Sequence, residues 1–369
     1  MKILHISTEF TNGTKVYETL INEIIRQGYE SSIFVPLRQG SKRIVIEKIR
    51  EIPCFNQIDR ALYFSKQEKV RKALEREFKP KAFDLVCAHT LFSTGYTAYK
   101  LNKDYGVPYT VSVINTDVNL FFKKMIHLRK IGIEILKNSS GIIFISEAYR
   151  DMVMEKYVPK NIRKELLRKS FVIPFAIDEY YLKNQPKCKK LEDDNTIGVV
   201  QVARDFDKNK NLKTSVKAVK RLIEKNINIE LSVIGNISNK ADLRLIQQNE
   251  FIRYIPFCPK EELIAYLRKS HILVMPSHYE TFGLVYPEAM SQGLPVIYTR
   301  GQGFDRQFDE GKIGFSVKFD DEIELANNII RIVENYKYMS DNSLKYARKF
   351  SADIVAKQYI DIFEKVLKR

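Results

Sequence analysis

The residues with the clearest chemical potential lie in HYETFGLVYPEAM, residues 278–290, where Glu280 and Glu288 stand eight positions apart around a Phe-Gly pair. An apolar run, HILVMPS, precedes this segment, and Gly293 with LPVIYT follows it, so the order reads as strand, loop, helix, strand. If the helix opens near Gly283, the backbone N–H groups of Phe282, Gly283 and Leu284 lack intrahelical partners and point beyond the strand ends. Amides of this kind hold a diphosphate, and a glycine lets the ligand approach the backbone closely. Pro287 costs little in a first turn, where its missing N–H is not needed. The two flanking carboxylates are suited to accepting hydrogen bonds from sugar and ribose hydroxyls. The plainer alternative is one acidic cap and one solvated glutamate.

A second group lies in VARDFDKNKNLKTSVKAV, residues 202–219, where Arg204 ends an apolar run and Lys210 precedes a helical pattern. A guanidinium and an ammonium at a strand end can stabilise the charge of a departing nucleoside diphosphate without a metal. Lys208 is a rival for Lys210, and a solvated basic loop is the alternative for all three. In the first half, Asn115, Thr116 and Asp117 leave the end of the run PYTVSVI, and His89 ends DLVCAH. These are candidates for the acceptor side, although a helix cap or a satisfied loop histidine accounts equally well for His89. Gly13, in the loop TNGTK, is a close-approach candidate or simply part of a strand-to-helix turn.

These groups need rigid elements to position them. Apolar runs alternate with helical periodicity from KILHIS onward, and the runs are too uniformly apolar for a half-exposed sheet. That pattern predicts parallel sheets covered on both faces. With 369 residues the chain exceeds one ordinary core, so two doubly wound domains are expected, 1–185 and 190–354. The polar stretch LKNQPKCKKLEDDN reads as the linker, and a last helix, about 355–369, is expected to cross back to the first domain. In open α/β sheets ligands bind beyond the carboxyl ends of the strands, so the two domains should face each other across a cleft.

Composition narrows the class. Four scattered cysteines lack metal-ligand spacing, and no apolar run approaches the roughly 20 residues that span a bilayer. MKILHIST has no leader pattern, so a cytoplasmic location is expected. The net charge is +16, and residues 1–187 carry most of it, with 32 Lys and Arg against 20 Asp and Glu. Such an excess suits an anionic acceptor or membrane surface as well as nucleic acid. Residues 121–137, FFKKMIHLRKIGIEILK, form a basic amphipathic stretch that either lies on an anionic bilayer or packs on the core with a wet basic face. No nucleic-acid recognition motif accompanies the charge, so a nucleic-acid partner is not expected.

The stretch ETFGLVYPEAMSQGLPVI resembles the signature of glycosyltransferase family four, a group of retaining enzymes with the GT-B fold, at every position of its Glu, seven residues, Glu pattern. VARDFDKNKNLKTSVKAV is similar to the family's strand, Arg, loop, Lys and helix segment, with a loop one residue longer. VIPFAID, IPFCPKEEL, GQGFDRQFDEGKIGFSV and FSADIVAKQYIDIFEKVL extend the similarity over most of the second half. The resemblance implies a catalytic Glu280 touching the transferred sugar, Glu288 on the ribose, and Arg204 and Lys210 on the diphosphate of a UDP- or GDP-sugar, with no cofactor and no metal required. TVSVINTDVN aligns where the family often reads Thr-x-His-Gly-x-Asp; Ile114 and Asn115 replace His-Gly, and Asp117 is kept as the second catalytic candidate. The implied reaction is hexose transfer to a glycan, lipid-linked in cell-surface polysaccharide or capsule synthesis, by a protein peripheral to the inner membrane face. An epimerase acting on nucleotide sugars with the same two-domain plan is the rival enzyme, and a basic nucleic-acid-binding protein the more distant alternative.

Overall fold

A computed structural model describes residues 1–11, 15–189 and 196–368. It divides into two compact units, Met1–Ala176 with Ala352–Arg369, and Ile177–Ser351. Each unit is a parallel sheet wrapped by helices, as the alternation predicts.

Among its described residues the first unit has eight strands: β1 Lys2–Ile6, β2 Glu30–Arg38, β3 Ile44–Ile46, β4 Ile49–Phe55, β5 Leu85–Ala88, β6 Tyr109–Val113, β7 Gly141–Phe144 and β8 Ser170–Val172. Their order is β3-β4-β2-β1-β5-β6-β7-β8, parallel apart from the β3–β4 pair. Strands β5, β6 and β7 are buried along their whole length, which is why LVCA, YTVSV and GIIF read as unbroken apolar runs. The β3–β4 hairpin escapes a sequence reading because its apolar residues Val45 and Ile46, paired with Arg50 and Ile49, are exposed. The final helix, Ala352–Leu367, returns to this unit and buries Val355, Tyr359 and Phe363 against Ile3, Leu85 and Ile143.

Residues 121–137 are not one amphipathic helix. A π-helical turn, Asp117–Phe122, gives way to a 3₁₀ turn at Ile126–Leu128, and only then does the helix Arg129–Asn138 begin. Phe122 and Leu128 turn into the core from the two irregular turns, which breaks the helical periodicity.

The second unit orders its strands β11-β10-β9-β12-β13-β14, all parallel. They are β9 Ile197–Phe206, β10 Ile229–Ile237, β11 Ile252–Ile255, β12 Ile272–Met275, β13 Val296–Thr299 and β14 Gly314–Val317. Val199, Leu231, Val274 and Ile297 pack with the helices Leu212–Ile223 and Glu322–Glu334 into one core. The unit begins earlier than the expected boundary near 185–190. The Ile177 amide bonds the Phe350 carbonyl, and the Tyr181 carbonyl accepts from Gln292 Nε2, so the short helix Glu179–Lys183 is tied to the second core. Residues 190–195 of the expected linker lie outside the described residues.

Candidate active site

The second unit assembles its site at the carboxyl ends of β9 and β12. Beyond β9, the Asp207 side chain caps a 3₁₀ turn by accepting from the Asn209 and Lys210 amides at 3.0 and 3.2 Å. Asn211 follows with φ +52°, a left-handed conformation that asparagine tolerates, and its amide nitrogen donates to the Pro276 and Phe319 carbonyls. Asn209 then locks this loop to the one after β12: its side chain bonds both backbone groups of Tyr279 at 2.9 Å, and its carbonyl accepts from the His278 amide.

The result of that clamp is an ion pair between two residues 70 positions apart, with Lys210 Nζ at 2.9 Å from Glu280 Oε2. Both side chains are mostly buried, so neither is an incidental surface charge. Lys208, on the same turn, is exposed and forms no ion pair among the described residues, so the structure joins Lys210 rather than its rival to the glutamate. Gln302 Oε1 accepts from the Glu280 amide, and the Gly303 amide donates to the Glu280 carbonyl, so the Gly-rich loop after β13 pins the carboxylate's backbone.

Arg204, exposed at the end of β9, places its guanidinium 5.9 Å from the centre of the Phe257 ring. Both line a cavity of about 260 Å³ with Tyr181, Lys260, Val285 and Glu288. Gly235, at the end of β10 with φ +145°, has no room for a side chain: a Cβ there would sit 1.8 Å from the Ala203 carbonyl oxygen, next to Arg204. Burial pushes the Glu288 carboxyl up to about 7; Asp178 adds to the rise and Lys260 opposes it. Lys260 and Asp178 are themselves an ion pair. Tyr181, Phe257, Lys260 and Asp178 are functional candidates that motif spacing does not reveal, because they come together only through the fold. The basic-aromatic character of IPFCPKEEL is the one signal that could have found part of the set.

The helix after this loop is shorter than the spacing suggests, Val285–Ser291, with Pro287 in its first turn as predicted. Phe282, Gly283 and Leu284 form the turn leading into it. Gly283 has φ +80°, and a Cβ would meet the Tyr286 ring at 2.3 Å, so glycine is required there by both conformation and space. The Phe282 side chain is core, against Phe304 and Phe350, leaving only its backbone for a ligand.

In the first unit two expected site residues have other tasks. Asp117 is buried, and its carboxylate accepts from the amides of Leu91, Phe92 and Ile114, each at 3.0 Å. Burial raises its carboxyl to about 6, although all three amides pull the other way. It thus latches the loop after β5 to the loop after β6, which corrects the catalytic expectation: both oxygens are spent on backbone. His89 is fully buried, its Nε2 3.1 Å from His5 Nδ1 and its ring stacked on His5, and burial lowers its imidazole to about 3. An enclosed neutral imidazole does not meet an acceptor, which corrects that expectation too. With Cys87 the two histidines are the one group of three among the described residues whose metal-ligand atoms approach one another, within 4.8 Å. Asn115 is half-buried and Thr116 exposed at the end of β6, where they were expected. Gly13 lies outside the described residues.

Comparison with known proteins follows the same division. Residues 13–178 match the family profile "Glycosyltransferase Family 4", and residues 183–350 match "Glycosyl transferases group 1". An uncharacterized glycosyltransferase of Methanocaldococcus jannaschii is 24% identical over 84% of this chain and 82% of its own length. CapM of Staphylococcus aureus, a capsular polysaccharide biosynthesis glycosyltransferase, is 25% identical over 62% of this chain and 63% of its own. Among solved structures, sucrose-phosphate synthase from Thermosynechococcus elongatus superposes with a TM-score of 0.76 at 19% identity, covering 100% of this chain and 99% of that one.

Proposed function

Because the chain belongs to the group 1 glycosyltransferases of the family 4 type, nucleotide-sugar-dependent enzymes of GT-B fold, we propose that it moves a hexose-type sugar from UDP or GDP to a glycan acceptor with retention of anomeric configuration. The observation that carries this reading is the Lys210–Glu280 pair, built by a side-chain and backbone clamp between the loops after β9 and β12, with Arg204 at the end of β9 and Glu288 in the helix Val285–Ser291 on one cavity wall.

The chemistry follows from the charges. When a donor binds, its diphosphate competes with Glu280 for the Lys210 ammonium, and Arg204 supplies a forked donor to the same group. As the bond from the anomeric carbon to the phosphate oxygen breaks, negative charge grows on the departing diphosphate, where these two cations hold it. They supply the neutralisation a divalent cation would otherwise provide, so the proposed transfer is metal-independent. Glu280, released from the lysine, accepts from hydroxyls of the transferred sugar. Glu288, in its ionised form, accepts from the ribose hydroxyls at the wall of the 260 Å³ cavity. The acceptor hydroxyl attacks the face the diphosphate leaves, its proton passing to the departing phosphate. Asn115 and Thr116 are the proposed acceptor contacts in the first unit.

CapM supports a place in cell-surface polysaccharide synthesis. A lipid-linked acceptor and a position peripheral to the inner membrane face are part of the proposal and do not rest on CapM. A thermal-shift screen against UDP-, GDP- and ADP-sugars tests the donor, with chelator present throughout. Stabilisation by UDP- or GDP-sugars is expected. No response to any of the three, or dependence on added metal, refutes the reading as stated. Isomerised nucleotide sugar in the absence of acceptor would favour an epimerase instead.

A further inference from the structure

Five large apolar side chains of the first unit are exposed on two short segments: Ile58 (72%), Leu62 (56%) and Phe64 (53%) on one, Leu120 (42%) and Ile126 (63%) on the other. Single exposed apolar residues are ordinary, but a concentration of them marks a surface with a partner. The two segments touch. Tyr63 packs on Phe121 with centroids 6.2 Å apart, and the Tyr63 hydroxyl donates to the Phe92 carbonyl, while the Phe92 ring stacks on Phe121 at 4.6 Å. Phe64 meets Tyr63 at 5.2 Å and Tyr96 at 5.9 Å. Tyr63, Phe92, Tyr96 and Phe121 therefore form an aromatic cluster that joins the two segments.

The formal charge on the second segment has one sign, while Glu68, one turn beyond Phe64 on the first, is paired with Arg71 at 2.6 Å. No Asp or Glu occurs between residues 118 and 133, where Lys123, Lys124 and Lys130 are all exposed. Lys124 and Lys130 form no ion pair among the described residues. Arg129, by contrast, is committed inward, its Nε donating to the Phe122 carbonyl at 2.6 Å. Asp59, on the other segment, is neutralised by Lys69 at 2.7 Å. The irregular backbone contributes directly: the π-helical turn Asp117–Phe122 and the 3₁₀ turn Ile126–Leu128 send Phe122 and Leu128 into the core while leaving Leu120 and Ile126 outside. A regular amphipathic helix would instead present a wet basic face and bury its apolar stripe.

We infer that this two-segment ridge, 58–64 with 120–126, is the surface by which the enzyme sits on an anionic lipid bilayer. The inference rests on the proposed lipid-linked acceptor. Apolar side chains entering the headgroup boundary, with exposed lysines such as Lys124 and Lys130 beside them, are the two signals that together hold a peripheral protein at a membrane. The ridge also adjoins Asn115 and Thr116 in sequence, so the face that meets lipid flanks the acceptor contacts proposed above.

Vesicle flotation of the full chain tests this. Binding is expected to vesicles of equal phosphatidylglycerol and phosphatidylcholine at low salt, and to be at least about tenfold weaker to pure phosphatidylcholine. Ile58→Glu with Ile126→Glu changes two largely solvated side chains, leaving the fold intact by circular dichroism, and should reduce binding by at least about tenfold. Lys124→Glu with Lys130→Glu should reduce it more than tenfold, in a salt-dependent way. Absence of wild-type binding, or binding unchanged in both double variants, overturns the inference. Self-association without vesicles, abolished by the isoleucine changes, would assign the ridge to a second copy of the chain and overturn it as well. Nucleotide-sugar binding by calorimetry on the same samples separates the outcomes: if it persists while vesicle binding is absent, only the membrane inference falls.

Discussion

Two carboxylates, one in each unit, are both buried enough to be displaced upward from the ordinary range, yet they serve different ends. Asp117 has its oxygens filled by three backbone amides, and its carboxyl stands at about 6. Glu288 stands at about 7 on the wall of a cavity, facing the charges of Asp178 and Lys260 rather than a set of amides. A perturbed titration alone therefore does not distinguish a latch from a ligand-binding group; the partners do. The same contrast runs through the neighbouring residues, with His89 sealed inside the first unit and Lys210 paired with Glu280 at a strand-end loop in the second.

The contrast is broken most severely at the ion pair. Lys210→Ala and Glu280→Ala are each expected to lower the transfer rate by about 10²- to 10³-fold, with little change in melting temperature, because they remove charges aimed at the transition state. Initial rates with a saturating donor check this, and near wild-type turnover would refute the assignment. Asp117→Ala should do the reverse. Three buried amides lose their acceptor, so unfolding free energy in urea should drop by about 2–4 kcal/mol, while nucleotide affinity is preserved.

Glu288 gives a subtler test. Its raised carboxyl keeps the proton below about 7, and the ionised form is the stronger acceptor for ribose hydroxyls. Donor affinity should therefore fall by up to about tenfold between pH 8 and pH 6, and Glu288→Gln should flatten that dependence at the weaker level. Its contribution to stability has the opposite sign: the folded state holds the proton between 4.5 and about 7, so that contribution is lost as pH rises through this window. Calorimetric titration at the two pH values separates these effects. The smallest effect is predicted for Lys208→Ala, less than about twofold in rate, since an exposed unpaired lysine contributes little beyond general charge. A large loss there would reverse the choice between the two lysines.

Much of the second unit could be anticipated because its chemistry is local in sequence. Glu280, Gly283, Pro287 and Glu288 lie on one strand-loop-helix unit, and each residue type has a physical reason to stand at its position. Arg204 and Lys210 share a similar unit, and alternating apolar runs suffice to predict the two parallel sheets that carry them. The β3–β4 hairpin was not legible because its exposed apolar residues do not alternate with burial.

The sequence by itself determined the class of fold, the acidic and basic groups of the second unit, and the family to which they point. Only tertiary structure decided which groups meet. The Asn209 clamp brings Lys210 to Glu280 across 70 positions, and contacts from β9, the segment after β11 and the short helix Glu179–Lys183 surround Glu288. Tertiary structure also withdrew Asp117 and His89, since a polar residue at a strand end looks the same in sequence whether its partners are substrate hydroxyls or buried backbone amides. The physical reason is that hydrogen-bond saturation and burial are set by neighbours distant along the chain, and residue type alone does not specify them.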